Sequence, residues 1–373
     1  MATSASAETS TAPPPSSSTD LPAVKIGTRR SQLARNQTDI VCNKLKQAWP
    51  ERKYEIHAKE TMGDKNQVTA LHQFNAKALW THELEALLET GELDCIVHSL
   101  KDPRDALVIK PTLASTHTTL ASLPSGSVIG TSSVRRSAQL KRLYPHLRFA
   151  DVRGNVGTRL AKLDDPDSSY SALILAAAGL IRLGLSRRVT QFLSSENGGI
   201  LHAVGQGAIG VEVREGDEEA RKLFARVGCE RTTRACLAER SLMRTLEGGC
   251  SVPIGVETDW LSKKRALGSN VGSGVGVGLK PASECDQLSG VAKEDGKEEA
   301  EEDFTDELIM KAIVVSLEGD QHVEVEARRR VNSREDADEF GWEVAQKLVE
   351  KGAEKILHEI NLNRKIIQEQ GDA

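Results

Sequence analysis

In the first hundred positions, short runs of hydrophobic residues alternate with stretches in which hydrophobic residues recur at helical spacing. Short apolar runs predict strands over residues 24–28, 54–59 and 95–99, and stretches with helical spacing between them predict helices over 29–49 and 80–89. An order of strand, helix, strand is typical of a parallel sheet that has helices packed on its faces. The pattern therefore predicts an α/β fold for this part of the chain.

The same pattern begins again near the middle of the chain. A strand over 128–130, a Thr-Ser-Ser turn and a helix over 134–142 repeat the strand, turn and helix of residues 26–35 with similar residue types. A strand over 149–152 follows, and the almost wholly apolar run over 172–178 is typical of a central buried strand. Because one unit occurs twice, we expect two similar lobes.

Glycines mark the end of the second unit, and the pattern changes after it. Residues 204–213 combine glycines with apolar residues, and we expect them to cross back to the first lobe. An amphipathic helix over 230–247, strands over 309–317 and 322–327, and a helix over 342–360 then predict a small α+β domain. We therefore expect two lobes, joined by crossing strands around a cleft, and a third domain.

Composition completes the predicted domain organisation. Residues 1–20 are almost entirely Ala, Ser, Thr and Pro, so they cannot bury enough apolar surface to become ordered. Residues 293–303 are mainly acidic and indicate a solvated insertion. The predicted domain bounds are a disordered tail over 1–22, a first lobe over 23–105 and 204–228, a second lobe over 106–203, and an α+β domain over 229–373 with an acidic insertion at about 262–305.

Charge and cysteine content argue against several classes of protein. A net charge of −5 and an isoelectric point near 6.1 argue against a general nucleic-acid binder, which would be basic. No apolar run is long enough to cross a membrane, and the first residues lack the pattern of a secretory signal. The six cysteines form no Cys-x-x-Cys pair and have no histidine at zinc-finger spacing. We expect a cytoplasmic protein that binds neither nucleic acid nor membrane.

Arginines stand at the predicted turns in both lobes. Arg29 follows the first strand, Arg135 and Arg136 begin the helix of the second unit, and Arg153 and Arg159 follow the next strand. Ligands of open α/β sheets bind at the carboxyl ends of strands, where helix N-termini favour anions and guanidinium groups pair with carboxylates or phosphates. The repeated arrangement predicts a cleft whose arginines bind a polyanion.

Two further features carry candidate chemistry. Lys101 and Asp102 stand at the end of the strand over 95–99, where a solvated charge pair and a ligand site are both open interpretations. Cys250 follows a glycine pair that ends the helix over 230–247. The negative end of a helix disfavours a thiolate, so this position alone does not make Cys250 a reactive nucleophile, and a free loop cysteine is the alternative.

Six motifs, taken in order along the chain, resemble the eukaryotic type of the porphobilinogen deaminase (hydroxymethylbilane synthase) family. The motifs are Gly27-Thr28-Arg29, His98-Ser99-Leu100-Lys101-Asp102, Gly130-Thr131-Ser132-Ser133-Val134-Arg135-Arg136, Arg153-Gly154-Asn155, Val204-Gly205-Gln206-Gly207 and Glu247-Gly248-Gly249-Cys250-Ser251-Val252-Pro253. Dispersed motifs in the right order are a stronger signal than any one of them. The resemblance runs from about residue 24 to residue 360, apart from the acidic insertion.

The resemblance implies a fold, a cofactor and a reaction. The fold would be two lobes like those of periplasmic binding proteins, with a third small α+β domain that holds Cys250. A dipyrromethane cofactor would be attached to Cys250 through a thioether, and no metal is implied. The enzyme would be a transferase that deaminates four porphobilinogen molecules and joins them head to tail into hydroxymethylbilane, for porphyrin and haem biosynthesis. It would act as a cytoplasmic monomer on this small-molecule substrate.

The resemblance also implies roles for individual residues. Asp102 would be catalytic, because a carboxylate near the ring nitrogens stabilises positive charge on the pyrroles and can move protons. The residues implied to hold the cofactor are Cys250, Lys101, Ser99, Thr131, Ser132, Ser133, Arg135, Arg136, Arg153, Arg159 and Gln206. Those implied to bind the substrate are Arg29, Ser31, Gln37 and Arg182. The acetate and propionate groups of the growing chain account for the arginines.

The chain departs from the family after Asp102. In the family a turn and another strand of the first lobe come next, whereas here Pro103 follows directly and the chain enters the Asp105-Ala106 stretch. On the order of a dozen or more residues are missing, at ordinary strand and loop lengths. One hypothesis is a splice or gene-model variant with impaired folding, because loss of an inner strand leaves backbone groups unpaired. The other is that neighbouring strands close the gap and activity survives.

Two other functions remain open on the residues alone. A cysteine hydrolase or amidotransferase would need a histidine beside Cys250, and none of the nine histidines occurs in such a motif. A binding protein for a small polyanion, including a catalytically impaired variant of the family, needs only the arginines. An adduct of two pyrrole units on Cys250 would distinguish the enzyme from both.

Overall fold

Three sheets and the helices packed on them form the framework of the protein. A computed structural model describes residues 21–61, 82–246, 252–263 and 304–361, without the side chains of residues 99–102. Among these residues, none of the helices is long and apolar enough to cross a membrane.

The first sheet is mainly parallel. Its strands are β1 Val24–Arg29, β2 Tyr54–Lys59, β3 Cys95–Asp102 and a strand from later in the chain, β9 Gly207–Val213, in the order β2-β1-β3-β9. β1 is parallel to β2 and β3, whereas β9 is antiparallel to β3. Two helices, α1 Gln32–Ala48 and α2 His82–Glu89, belong to this part of the chain. Ile26, Leu45 and Val97 share one buried cluster, so the apolar face of α1 covers the sheet.

The second sheet is mixed and buried on both faces. Its strands are β4 Asp105–Ile109, β5 Val128–Gly130, β6 Arg148–Ala150, β7 Tyr170–Ala176 and β8 Gln191–Leu193, in the order β6-β5-β7-β4-β8. Its helices are α3 Pro111–Ala114, α4 Val134–Leu143, α5 Val156–Asp164 and α6 Ala177–Arg182. Leu107 and Ile109 enter one buried cluster, whereas Ala106 and Val108 enter another. The alternation along β4 therefore fills both faces of the sheet.

The third sheet is antiparallel and carries two long helices. After α7 Glu218–Ala225, this part consists of α8 Glu230–Thr245, β10 Ile254–Ser262, β11 Phe304–Val315, β12 His322–Arg330 and α9 Arg334–Glu350, and residues 353–361 are again helical. The strand order is β10-β11-β12, and Ser262 pairs with Phe304 across the ends of β10 and β11. Gly341 lies so close to the carbonyl of Ala238 that a Cβ would not fit, which lets α8 and α9 approach closely.

The predicted α/β class with a third α+β part is confirmed, and several predicted ends were wrong. The run over 172–178 leaves the sheet at Ala176, and α6 begins at the next residue. The last long helix starts at Arg334, well before residue 342, because Ser333 and Asp336 form a capping box. That Ser-x-x-Asp signal was visible in the sequence. Strands β4 and β10 were not predicted.

The connection after β3 is short, and the strands on both sides of it are paired with neighbouring strands. Only Pro103 and Arg104 separate β3 from β4. β9 pairs along β3 from Cys95 to Asp102, and β4 has β7 on one side and β8 on the other. The guanidinium of Arg104 lies 4.4 Å from the centre of the Phe192 ring in β8. Neighbouring strands thus pair with both ends of the shortened connection, as the second hypothesis requires.

The third sheet is joined to the rest through polar contacts of β10 and α8. Backbone hydrogen bonds link His202 and Val256 in both directions, at 3.0 and 2.8 Å. The carboxylate of Glu239, in α8, accepts hydrogen bonds from the backbone N–H of Gly205 and from the hydroxyl of Thr258, each at 2.6 Å. Burial raises the pKa of Glu239 to about 7, and the two hydrogen bonds only partly offset this effect.

The raised pKa of Glu239 predicts a stability that depends on pH. Between the ordinary carboxyl pKa of 4.5 and about 7, the folded protein holds a proton on Glu239 that the unfolded chain releases, so stability falls as pH rises. Glu239→Gln removes this dependence. Urea unfolding at pH 5 and pH 8 should show the variant gaining on the wild type by on the order of 2 to 3 kcal/mol. A difference that stays constant over this range would contradict the prediction.

Candidate functional site

The N-terminus of α4 carries two buried arginines that share one carboxylate. Arg135 and Arg136 are only 5% and 6% exposed, and Asp105, the first residue of β4, is 1% exposed. One Asp105 oxygen lies 2.8 Å from Arg135 Nη2, and the other lies 2.7 Å from Arg136 Nη2 and 3.0 Å from Arg136 Nε. Burial by itself would raise the pKa of Asp105, but the two guanidinium charges and the hydrogen bonds hold it far below its usual value.

Asp105, Arg135 and Arg136 form a group that we call the arginine cluster. Further hydrogen bonds join the arginine cluster to the chain that leads into β9. Gln206 donates from Nε2 to Asp105 Oδ1 and to the carbonyl of Pro103, both at 2.9 Å. Arg135 Nη2 also donates to Gln206 Oε1, at 3.3 Å, and Arg136 Nη1 donates to the carbonyl of Ile174, at 3.0 Å. The predicted site residue Gln206 therefore lies beside the two arginines.

The sequence predicts that Arg135 and Arg136 face a cleft, and in the structure both side chains are paired with the buried Asp105. Both side chains are buried, because Asp105 lies between them and takes up part of their charge. Asp105 itself was not recognised as part of the site. A carboxylate that opens the wholly buried strand β4 was the available signal, since such a charge requires cations nearby.

Arg153 and Arg159 add positive charge next to this cluster. Arg153 is buried, and Arg159 donates from Nε to the carbonyl of Gly154, at 2.8 Å. Gly154 has a φ of 110°, which favours glycine and lets the chain turn here. Burial, together with the like charges of Arg136 and Arg153, lowers the pKa of Arg159 to about 10. An anionic ligand would relieve this repulsion, so the site suits a molecule with several carboxylates.

The hydroxyl turn before α4 joins two strand ends. Thr131 Oγ1 accepts from the backbone N–H of Ser133, at 3.2 Å, and Ser132 donates to the carbonyl of Val152, at 2.8 Å. Ser133 is the N-cap of α4 and accepts from the N–H of Arg136, at 3.4 Å. The predicted turn thus lies at the sheet edge that also holds the arginines.

The predicted substrate residues lie in the first lobe and at its contact with the second. Arg29 ends β1, Ser31 is the N-cap of α1, and Gln37 is buried nearly two turns further along this helix. Arg182, at the end of α6, donates from Nη2 to the carbonyl of Gly207, at 3.2 Å, and its own carbonyl accepts from Asn36. The structure therefore places Arg182 where the two lobes meet.

The remaining predicted residues are only partly described. Lys101 belongs to strand β3, where Ser99 pairs with Ile209 and Asp102 pairs with Gly207. Gly207 follows Gln206, so the backbone of Asp102 lies next to the arginine cluster. Cys250 lies outside the described residues. Within the described ranges, His, Cys, Asp and Glu side chains form no group that could hold a metal.

One further buried residue near the cluster was missed. His202 is 2% exposed, and burial together with the charge of Arg135 lowers its pKa to about 3. The ring is therefore neutral and adds no positive charge to the site. The sequence offered no signal that His202 would be buried near the site, because only the fold brings His202 close to Arg135.

Comparisons with known proteins agree with this arrangement. The family model "Porphobilinogen deaminase, dipyromethane cofactor binding domain" matches residues 24–103 and 101–222, and "Porphobilinogen deaminase, C-terminal domain" matches 233–271. The first match falls into two pieces that meet at residues 101–103, where the sequence indicates missing residues.

Curated relatives cover most of the chain. It is 44% identical to porphobilinogen deaminase from Yarrowia lipolytica over 367 residues, which covers 92% of this chain and 95% of that one. The porphobilinogen deaminase from Saccharomyces cerevisiae is 41% identical over 363 residues, covering 91% and 97%. Among solved structures, the methionine-binding protein MetQ aligns at 11% identity and a TM-score of 0.32, over 54% of this chain and 88% of that one. That score is too low to carry an argument.

The shared carboxylate of Asp105 gives a prediction for stability. Asp105→Asn leaves two buried guanidinium groups without their negative partner, so we expect a loss of about 3 to 5 kcal/mol in the free energy of unfolding. Equilibrium unfolding in urea measures this loss of free energy in the variant against the wild type. As a control, Asp164→Asn breaks the partly exposed pair with Arg188 and should cost less than about 1 kcal/mol. Equal losses in the two variants would contradict the assignment.

Proposed function

The chain belongs to the porphobilinogen deaminase family, and we propose that its arginine cluster, Asp102 and Cys250 carry out the reaction of this family. The enzyme is a transferase of porphyrin and haem biosynthesis, hydroxymethylbilane synthase, and it works with a dipyrromethane cofactor. It joins four porphobilinogen molecules head to tail into a linear tetrapyrrole. By the same resemblance we propose a cytoplasmic monomer.

One observation carries the assignment of the binding residues. Burial and the charges of Arg136 and Arg153 lower the pKa of Arg159, so positive charge is concentrated at the edge of the second sheet. A cofactor or substrate whose pyrroles bear acetate and propionate groups would relieve that repulsion. The residues present therefore fit a dipyrromethane with several carboxylates.

We assign two tasks to the residues around the cluster. Arg153 and Arg159, with the hydroxyl turn of residues 131–133, would hold the carboxylates of the cofactor and orient its rings. Arg29, Ser31, Gln37 and Arg182 would hold those of the incoming substrate. When bound, the dipyrromethane supplies the free pyrrole carbon from which the chain grows. Oriented carboxylates fix the reacting ring in place, which is a large part of catalysis in such sites.

Asp102 is proposed as the catalytic carboxylate. Its backbone pairs with Gly207, and the next two residues lead into Asp105. A carboxylate near pyrrole nitrogens stabilises the positive charge that develops on the rings and moves protons during each addition. Asp105 cannot take this role, because its two oxygens are already occupied by Arg135, Arg136 and Gln206.

Cys250 is proposed as the anchor of the cofactor. Cys250 would hold the dipyrromethane through a thioether and would stay bound to it from one round of synthesis to the next. A binding protein for polyanions would use the same arginines without this adduct, and a cysteine hydrolase would turn Cys250 over instead of blocking it.

The shortened connection after Asp102 is compatible with activity in our proposal. β3 retains β1 and β9 as partners, and β4 retains β7 and β8, so the described strands close around the gap. We therefore favour the hypothesis in which neighbouring strands compensate and the chain folds and turns over.

Purified wild-type protein tests the proposed function directly. We expect a cooperative thermal transition, an intact mass raised by two pyrrole units, colour with Ehrlich's reagent and formation of hydroxymethylbilane from porphobilinogen. Cys250→Ser is the control and should show neither adduct nor product. Wild-type protein that binds pyrrole carboxylates without carrying an adduct would favour the binding-protein alternative, and a broad, uncooperative melt would favour impaired folding.

A second variant tests the role of Asp102. Asp102→Asn keeps the size of the side chain and removes its charge, so kcat should fall by a factor of about 10² to 10⁴ because general acid–base and electrostatic stabilisation are lost together. Steady-state product formation and the melting temperature are measured side by side. Asp39→Asn, which alters an exposed carboxylate of α1, should retain full activity. Activity of Asp102→Asn within about threefold of the wild type would exclude the proposed role.

A further inference from the structure

Residues 202–206, which we name the interlobe segment, contact the second and third sheets and lead directly into the first. His202 exchanges two backbone hydrogen bonds with Val256 of β10. Gln206 hydrogen-bonds to Asp105 of β4, and the next residue begins β9 of the first sheet. The position of this segment therefore affects the arrangement of all three parts.

Glu239 holds the interlobe segment from the side of the third sheet. Its side chain is 4% exposed and accepts hydrogen bonds from the N–H of Gly205 and from the hydroxyl of Thr258. Gly205 has a φ of 67°, a conformation that favours glycine and aims its N–H at the carboxylate. Both donors are neutral, and among the described residues this buried carboxylate has no direct ion pair, which is a costly arrangement.

Gly205 and Gln206 are adjacent, and they join Glu239 to the arginine cluster. The N–H of Gly205 is fixed by Glu239, and the side chain of Gln206 is fixed by Asp105 and Arg135. A displacement of Gly205 would move Gln206 and the hydrogen bonds it makes. The carboxylate in α8 is thus bound to the residue that directly precedes Gln206, a residue of the proposed site.

We propose that Glu239 is a positioning residue for the reaction: it fixes the interlobe segment to α8 and thereby sets the place of Gln206 and the Asp105–arginine network. The inference rests on the proposed function and deepens it. Helix α8 leads, four positions beyond Leu246, to Cys250 in the sequence. Helix α8 therefore precedes Cys250 in the chain and, through Glu239, also holds the interlobe segment that precedes β9.

Glu257 offers a matched control on the same sheet. Its carboxylate accepts from the N–H of Ser195 at 2.9 Å and from the hydroxyl of Ser195 at 2.5 Å, so it makes the same two kinds of hydrogen bond. It joins β10 to the chain after β8 and not to Gln206. A general loss of contacts between the sheets would affect the two glutamates alike, whereas positioning of the site would not.

Hydrogen exchange of the full-length chain tests the structural part of the inference. In Glu239→Ala the N–H of Gly205 loses its acceptor, so peptides over residues 203–207 should exchange at least about tenfold faster. In Glu257→Ala the faster exchange should be confined to peptides near residue 195. Unchanged exchange over 203–207 in Glu239→Ala would overturn the proposal. If that variant does not fold, Thr258→Val removes the other hydrogen bond and should speed exchange of the same peptides to a smaller extent.

Kinetics with porphobilinogen test the functional part. Glu239→Ala should lower kcat/KM by about tenfold to a hundredfold, since small displacements of positioning groups have effects of this size. Glu239→Gln should restore most of it, because the amide oxygen still accepts from Gly205 and the amide NH₂ can donate to Thr258. Glu257→Ala should stay within about threefold of the wild type, since its contacts do not reach the site. Equal losses in the two alanine variants, or no rescue by glutamine, would overturn the proposal.

Failure of the inference can be told apart from failure of the proposed function. A wild-type protein with neither adduct nor product refutes the function, and the exchange data still decide whether Glu239 holds the interlobe segment. A wild-type protein with both adduct and product, and an equally active Glu239→Ala, refutes the inference alone.

Discussion

One carboxylate shared between two guanidinium groups determines how the described parts of the protein fit together. Asp105 begins β4 of the second sheet, Arg135 and Arg136 begin a helix on that sheet, and Gln206 joins them from the chain that enters the first sheet. Burying three charges is favourable only when their hydrogen bonds are nearly complete. The network therefore tolerates little displacement of β4, α4 or the interlobe segment.

This constraint also shapes the electrostatics of the site. Asp105 compensates part of the charge of two arginines, while Arg153 and Arg159 add further positive charge beside them. A site without Asp105 would have to bury four guanidinium groups, and a site with more carboxylates would repel pyrrole acids. This balance leaves net positive charge in the cluster, as the proposed binding of carboxylates requires, while Asp105 offsets part of the cost of burying the arginines.

Much of the fold was predictable because local signals and tertiary structure agree. The Thr131-Ser132-Ser133 turn and the helix that follows it were placed correctly, since an N-cap hydroxyl followed by a helix is a local pattern. The burial of Arg135 and Arg136 was not predictable, because it depends on a carboxylate thirty residues away that only sheet pairing brings near. Glu239 and His202 escaped notice for the same reason: their partners are distant in sequence and joined by packing.

The pairing of Ser262 with Phe304 has a consequence for how this family can vary in length. Ser262 and Phe304 are paired at the ends of β10 and β11, so the two chain ends that flank residues 264–303 lie side by side. The entropy of closing such a loop rises only with the logarithm of its length. A change in the length of residues 264–303 therefore costs little free energy, whereas a change beside Asp102 falls between β3 and β4, and β4 begins with the buried Asp105.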